Sequence, residues 1–285
     1  MYNVANNQMN QFCFLNGQVV PKDEAKVSIF DIGLLRGVGV YEAMPSFEGK
    51  IFRFVDHWNR FLDSSHTLNL NISITEEKAE RVISELLQKN GHDIDRANIK
   101  FILTGGPAKN SLEFDFENPT FYIFTEKCDK VSAEIYQNGG KLLTYYYKRE
   151  MPEIKTTNYI TAVNLQNWRK EEDALEILYT FDGEVYEGSI SNIFLVKDGV
   201  LVTPVEEVLR GITRKVVLEI AEEIGLSIEQ RRVREEELRT ADEVFITSSF
   251  KDIVPITTID NFKVGSGSPG SITRNLSQRF AKLTT

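Results

Sequence analysis

Two Asp-Gly dipeptides close together, Asp182-Gly183 and Asp198-Gly199, constrain this chain most, because each lies between short apolar runs. Asp-Gly supplies the two positive-φ positions of a tight hairpin turn, so the flanking runs at 176–181, 184–187, 193–196 and 200–202 read as a strand meander. The first half opens in the same way. Asn16-Gly17 separates 12–15 from 18–21, and Glu48-Gly49 separates 41–47 from 51–54. Residues 57–68 then look helical. From Thr75, an N-cap followed by Glu76 and Glu77, apolar residues recur at Ala79, Val82, Ile83, Leu86 and Leu87, which predicts an amphipathic helix. The apolar, β-branched and aromatic runs 99–103 and 121–124 read as returning strands of the same sheet.

These elements predict an α+β fold in two parts. Residues 125–132 are charged and short of apolar side chains, so the expected organisation is a small domain over 1–125, a linker over 126–132 and a larger domain over 133–285. In the larger part, a strand at 141–147 leads through Lys155-Thr156-Thr157-Asn158 into a helix whose apolar positions include Tyr159, Ile160 and Val163. Gly211-Ile212-Thr213 opens another, with Val216, Val217, Ile220, Ala221 and Ile224 on one face and Gly225 ending it. A strand at 244–247, a hairpin around Asp260-Asn261 and a helix carrying Ile272, Leu276 and Phe280 follow.

Composition excludes several functions. The chain has 33 Lys+Arg against 42 Asp+Glu, a formal net charge of -9, whereas a nucleic-acid surface needs a concentrated basic field. Cys13 and Cys128 lie far apart, and His57, His66 and His92 lack ligand spacing, so neither a disulfide framework nor a metal site is expected. No run approaches the roughly 18 apolar residues of a membrane span. Residues 1–10 are polar rather than leader-like, and the expectation is a soluble cytoplasmic protein. A G-x-S-x-G elbow, a Walker loop and a G-x-G-x-x-G turn are all missing, which removes the usual supports for acyl transfer and nucleotide binding.

What remains is a set of separate candidates, each with an ordinary alternative. Lys155 stands where a strand or loop gives way to a helix, where the helix dipole and apolar neighbours favour the neutral amine of a Schiff-base nucleophile; most such lysines are solvated charges. Gly211-Ile212-Thr213-Arg214 at a helix start offers backbone N–H groups to a phosphate, or is simply an N-cap by Thr213. Thr247-Ser248-Ser249 could add hydroxyls or merely end a strand. Arg60, one turn after His57, could hold a phosphate bidentately or pair with Asp56 or Asp63. Glu187 in Tyr186-Glu187-Gly188-Ser189 could hold a protonated pyridine nitrogen, or be a hairpin glutamate.

In combination these residues resemble the branched-chain and D-amino-acid aminotransferases, the fold type IV group of pyridoxal-phosphate enzymes. The resemblance runs in order through Gly37-Val38-Gly39-Val40-Tyr41-Glu42, Asp56-His57-Trp58-Asn59-Arg60, Lys155-Thr156-Thr157-Asn158-Tyr159, Glu187-Gly188-Ser189-Ile190-Ser191-Asn192-Ile193-Phe194, Leu209-Arg210-Gly211-Ile212-Thr213-Arg214 and Phe245-Ile246-Thr247-Ser248. It implies that Lys155 holds pyridoxal 5'-phosphate covalently and moves the substrate Cα proton. It further implies that Glu187 pairs with the pyridine nitrogen and Tyr159 with the phenolic oxygen. Arg60, the N–H groups of Ile212 and Thr213, and Ser248 or Ser249 would hold the phosphate. The implied architecture is a small α+β domain and a larger pseudo-barrel domain, with the cofactor between them and a homodimer completing the site.

Two departures bear on the substrate. Arg36-Gly37-Val38-Gly39 replaces the usual Gly-Asp-Gly, and Thr104-Gly105-Gly106 stands where many members carry Arg-Gly-Thr. The chain is in this respect similar to an atypical subgroup of D-amino-acid transaminases, with Arg36 and Lys100 expected to hold a substrate carboxylate and Tyr41 to line the pocket. A loop salt bridge at a dimer contact is the alternative for Arg36. The expected activity is amino transfer between an amino acid, D-amino acids ahead of branched-chain L-amino acids, and a 2-oxo acid. A 4-amino-4-deoxychorismate lyase of the same fold, or a dimeric binding protein without chemistry, are the competing readings.

Overall fold

The tight-turn dipeptides do what their composition requires. Asn16 and Gly17 have φ of 44° and 101°, Glu48 and Gly49 48° and 77°, Asp182 and Gly183 51° and 74°, and Asp198 and Gly199 49° and 78°. Both central residues of each turn are left-handed, the conformation that matches the twist of a two-residue hairpin. The computed structural model describes residues 11–128 and 131–284, so the polar stretch 1–10 and the middle of the 126–132 linker lie outside the described residues. The chain divides into two compact units. One comprises the described part of Met1–Cys128 with Ile154–Asn158, the other the described part of Asp129–Glu153 with Tyr159–Thr285.

The first unit contains β1 (Phe12–Leu15), β2 (Gln18–Pro21), α1 (Ile32–Arg36), β3 (Gly39–Phe47), β4 (Lys50–Ile51), α2 (Phe54–Thr67), α3 (Glu76–Lys89), β5 (Ala97–Thr104) and β6 (Thr120–Lys127). Its six strands form an antiparallel sheet in the order β2-β1-β6-β5-β3-β4. Strand pleating sends alternate residues to one face, where Val40, Met44, Ile99, Phe101, Leu103, Phe121 and Ile123 are buried beneath α2 and α3. α3 contributes Ala79, Val82, Ile83, Leu86 and Leu87, the residues its spacing predicts, and Thr75 Oγ1 caps it by accepting from Lys78 N–H at 3.3 Å. Burying each large aliphatic side chain stabilises the unit by roughly 1.5–3 kcal/mol. β6 continues to Lys127, so Glu126 and Lys127 belong to a paired strand rather than to a connection.

The second unit contains α4 (Ala133–Asn138), β7 (Gly140–Tyr146), α5 (Ile160–Asn164), α6 (Gln166–Glu171), β8 (Glu176–Phe181), β9 (Glu184–Gly188), β10 (Asn192–Lys197) and β11 (Val200–Thr203). α7 (Ile212–Glu223), β12 (Ile228–Gln230), β13 (Val233–Arg234), α8 (Glu235–Thr240), β14 (Glu243–Ser248), β15 (Asp252–Ile259), β16 (Phe262–Lys263) and α9 (Ser271–Lys282) complete it. Ten strands make a mixed half-barrel sheet in the order β12-β11-β10-β14-β15-β7-β8-β9-β13, with β16 paired to β15. α7 and α9 pack on each other and on β14. Ile160 and Val163 are 67% and 66% exposed, because α5 is five residues long and buries only Ala162.

Candidate active site

Consecutive residues of β3 point to opposite faces of its sheet, and Tyr41 and Glu42 build a different feature on each. Glu42 is fully buried on the core side. There α2 presents His57 and Arg60 from one helical face. Arg60 donates from Nε to Glu42 Oε2 at 2.9 Å and from Nη2 to Oε1 at 2.6 Å, a bidentate grip on one carboxylate. His57 Nδ1 lies 3.0 Å from the same Oε1; an ionised carboxylate can only accept, so Nδ1 carries the proton. Burial pulls the His57 imidazole below its ordinary value, against the opposing pull of Glu42, and the ring is neutral. Burial alone would raise the Glu42 carboxyl, but the Arg60 and His57 interactions outweigh it and hold it well below the usual carboxylate range.

Lys155 is fixed against β3 as a strand residue would be. Tyr41 N–H donates to the Lys155 carbonyl at 2.9 Å, Thr157 N–H donates to the Gly39 carbonyl at 2.9 Å, and Val40 bridges Thr156. These bonds explain why Ile154–Asn158 groups with the first unit although its sequence neighbours on both sides belong to the second. Lys155 N–H also donates to Ser64 Oγ at 3.2 Å. With its backbone held, the half-buried side chain donates from Nζ to Tyr41 Oη at 2.8 Å. Nζ lies 4.1 Å from the centre of the Tyr41 ring. Sequence reasoning placed Lys155 before a helix; the structure places it on a sheet edge, five residues ahead of α5.

The two expected carboxylate-binding residues have other partners. Arg36, exposed at the end of α1, donates from Nη1 to the Leu35 carbonyl at 2.8 Å and from Nε to the Ser111 carbonyl at 3.2 Å. Lys100 Nζ lies 2.7 Å from Glu126 Oε2 in a partly exposed pair.

In the second unit, Glu187 stands one residue before the end of β9 as a buried carboxylate with both oxygens engaged. Arg149 Nε donates to Oε1 at 2.7 Å and Leu209 N–H donates to Oε2 at 2.9 Å. Arg149 also donates from Nη2 to the Pro152 carbonyl. It is a residue that sequence reasoning missed, since no local pattern marks a lone arginine after a strand. Asn192 Nδ2 donates to the Leu209 carbonyl at 2.7 Å, which fixes the approach to α7. α7 starts after Gly211 with no side-chain cap, so no side chain of its N-cap residue occupies the N–H groups of the first turn. Ile212 and Thr213 are both buried there. A Cβ at Gly211 would stand 2.0 Å from Asn192 Oδ1, so only glycine admits this packing. Arg214 is turned elsewhere, donating to Thr203 Oγ1, the Pro204 carbonyl and Gln230 Oε1.

β10 and β14 pair Asn192 with Thr247. Thr247 is 1% exposed, and its Oγ1 has no hydrogen-bond partner among the described residues. Ser248 accepts from Lys251 N–H at 3.2 Å, and Ser249 lies in the turn that follows. Tyr159 is half-buried at the start of α5. The second unit thus collects a buried carboxylate, uncapped helix N–H groups and a cluster of hydroxyls, the complement of an anion and of a protonated ring nitrogen.

Residues 39–259 match the family model described as amino-transferase class IV. The chain belongs to the class IV aminotransferases. Among relatives of this class IV family, a D-alanine aminotransferase of Staphylococcus epidermidis is 33% identical over 273 residues, covering 94% of this chain and 96% of the relative. A putative branched-chain-amino-acid aminotransferase of Methanocaldococcus jannaschii is 33% identical over 283 residues, covering 95% and 96%. Among solved class IV structures, the Escherichia coli branched-chain amino acid aminotransferase superposes with a TM-score of 0.90 at 25% identity, covering 97% of this chain and 95% of that one. The T.th. branched-chain amino acid aminotransferase complexed with N-(5'-phosphopyridoxyl)-L-glutamate gives 0.88 at 27% identity, covering 98% and 95%.

Proposed function

We propose that this class IV aminotransferase uses pyridoxal 5'-phosphate to move the amino group of a D-amino acid such as alanine to a 2-oxo acid. The carrying observation is the Lys155 amine, held on β3 by backbone hydrogen bonds and donating to Tyr41 Oη at 2.8 Å. The residues present fit the cofactor. The orphaned buried hydroxyl of Thr247, whose strand partner Asn192 packs against Gly211 at the start of α7, suits a phosphate, and the buried Glu187 suits a pyridine N–H.

In this reading Lys155 binds the cofactor covalently and Glu187 holds its pyridine nitrogen. Tyr159 holds the phenolic oxygen. Arg60, the N–H groups of Ile212 and Thr213, and Ser248 and Ser249 hold the phosphate. Bound pyridoxal phosphate supplies the electron sink that lets the amino acid's Cα lose a proton. Lys155 Nζ carries that proton, and Tyr41 Oη keeps the nitrogen oriented by accepting one of its N–H bonds. Arg149 and the Leu209 N–H keep the Glu187 carboxylate aligned. Arg36, Tyr41 and Lys100 are the candidates for contact with the substrate.

The preference for D-amino acids is supported by the D-alanine aminotransferase relative, with branched-chain L-amino acids as the second class. A homodimer belongs to the same reading. Ile29, Phe30, Leu34 and Leu112 are 64–80% exposed on segments that hydrogen-bond to each other, an apolar surface suited to a second copy. The test offers amino acids as both enantiomers, with 2-oxoglutarate as acceptor, and adds 4-amino-4-deoxychorismate. D-Alanine is expected to be transaminated fastest. Pyruvate release from aminodeoxychorismate without amino transfer would overturn the proposal in favour of a lyase.

A further inference from the structure

Glu176, at the first position of β8, is a buried carboxylate, 1% exposed, that the proposed chemistry does not use. Its Oε1 accepts from Ile190 N–H at 2.7 Å, Ser191 Oγ at 2.9 Å and Ser189 Oγ at 3.3 Å. All three donors lie in the reversal between Glu187, one residue before the end of β9, and the start of β10. Its Oε2 accepts from Lys251 Nζ at 2.6 Å, and that side chain is 13% exposed. Lys251 belongs to the turn between β14 and β15, where its own N–H donates to Ser248 Oγ at 3.2 Å. The Lys251 carbonyl in turn accepts from Tyr136 Oη at 2.9 Å. One carboxylate therefore holds two turns, one oxygen each.

The reversal is shaped for this contact. A Cβ at Gly188 would lie 2.5 Å from Glu176 Oε1 and 2.2 Å from Ser191 Oγ, so glycine is what lets the turn close onto the carboxylate. A buried ion pair is a poor source of net stability, because removing two charges from water offsets most of their attraction. Breaking such a pair by removing one partner leaves an uncompensated buried charge, so its geometry is costly to disturb.

We infer that Glu176 and Lys251 form a positioning pair that holds the Glu187 end of the cofactor site in register with the Ser248 and Ser249 end. This rests on the assignment of Glu187 and of the two serines to pyridoxal phosphate. Losing Lys251 frees Glu176 to pull on the 189–191 turn, and both ends of the cofactor lose alignment together. Neither residue touches the reacting atoms.

The test measures the dissociation constant of pyridoxal phosphate and the absorption band of the bound cofactor across pH. Lys251→Met is expected to weaken cofactor binding at least tenfold and to displace the band's pH midpoint. Lys251→Arg should bind within threefold of wild type, and Glu176→Gln should cost less in the Lys251→Met background than alone. Glu243→Gln is the stability control. It loosens the cap that Glu243 forms on Ile272 N–H and Thr273 N–H at the start of α9, and should leave cofactor affinity unchanged. Should Lys251→Met not fold, Ser191→Ala removes one bond to Glu176 Oε1 while leaving the ion pair whole, and about threefold weaker binding is expected.

Wild-type affinity and an unchanged band in Lys251→Met, or in Ser191→Ala where that variant serves, would overturn the inference while leaving the proposed function standing. Equal weakening by Glu243→Gln would reduce the pair to a structural role and also overturn it. A wild-type protein that takes up no pyridoxal phosphate overturns both.

Discussion

Replacing Glu42 with Gln isolates the buried triad of the first unit. The amide keeps the shape of the side chain but leaves the Arg60 guanidinium, 10% exposed, without the carboxylate that now meets it at 2.6 and 2.9 Å. Breaking one partner of a buried pair costs about 3 kcal/mol or more, because the remaining charge stays desolvated. For a unit of this size that lowers the thermal midpoint by about 10 °C. Trp58 is buried in the same unit, so its fluorescence in a Trp168→Phe background follows this unfolding. Adding Arg60→Met should then restore part of the loss, since the uncompensated charge is gone. A midpoint within about 2 °C of the parent, or an Arg60→Met cost as large in the Glu42→Gln background as in the parent, would refute the reasoning.

Other outcomes follow from the same contacts. The imidazole of His57 is depressed in the folded state by burial, so below about pH 6.5 the unfolded chain binds the extra proton. Stability should fall as pH drops from 7 to 5, and urea titrations of His57→Gln should show a shallower slope over that window; an identical slope would remove His57 as the cause. Arg149→Met takes away the guanidinium that aligns Glu187 at 2.7 Å, and the amino-transfer rate is expected to fall at least tenfold, about 1.4 kcal/mol in the barrier, with Arg149→Lys losing less. Wild-type turnover in Arg149→Met would release Arg149 from that role. Gly211→Ala must displace Asn192, whose Oδ1 would stand 2.0 Å from the new Cβ, and should weaken pyridoxal phosphate about tenfold in a fluorescence titration; unchanged binding would mean that α7 does not hold the phosphate.

The legible parts of the fold are those whose cause is local. Four hairpin turns announced themselves through dipeptides that tolerate positive φ, and α3 through a cap, an acidic first turn and an apolar stripe. Lys155 and Glu187 could be picked out because each stands in a run of residues resembling a known family. Their supports could not. Arg149, Glu176 and Lys251 are single charged residues in or beside strands, and their meaning comes from partners brought close by the fold: Glu187 on β9 and the two turns that Glu176 joins. Strand pairing also explains why Lys155 lies with the first unit, since the bonds to Gly39 and Tyr41 span more than a hundred residues of sequence. The helix after Lys155 is present as α5, but spacing in a five-residue helix carries too little periodic information to identify a buried face, and Ile160 and Val163 are exposed on it.

The most direct test of the central claim is covalent. The protein is loaded with pyridoxal 5'-phosphate, reduced with borohydride, digested, and read by mass spectrometry for the modified residue. A phosphopyridoxyl group on Lys155, absent from Lys155→Ala, is the predicted result. Modification of a different lysine, or no modification in a protein that still transfers amino groups, would contradict the account.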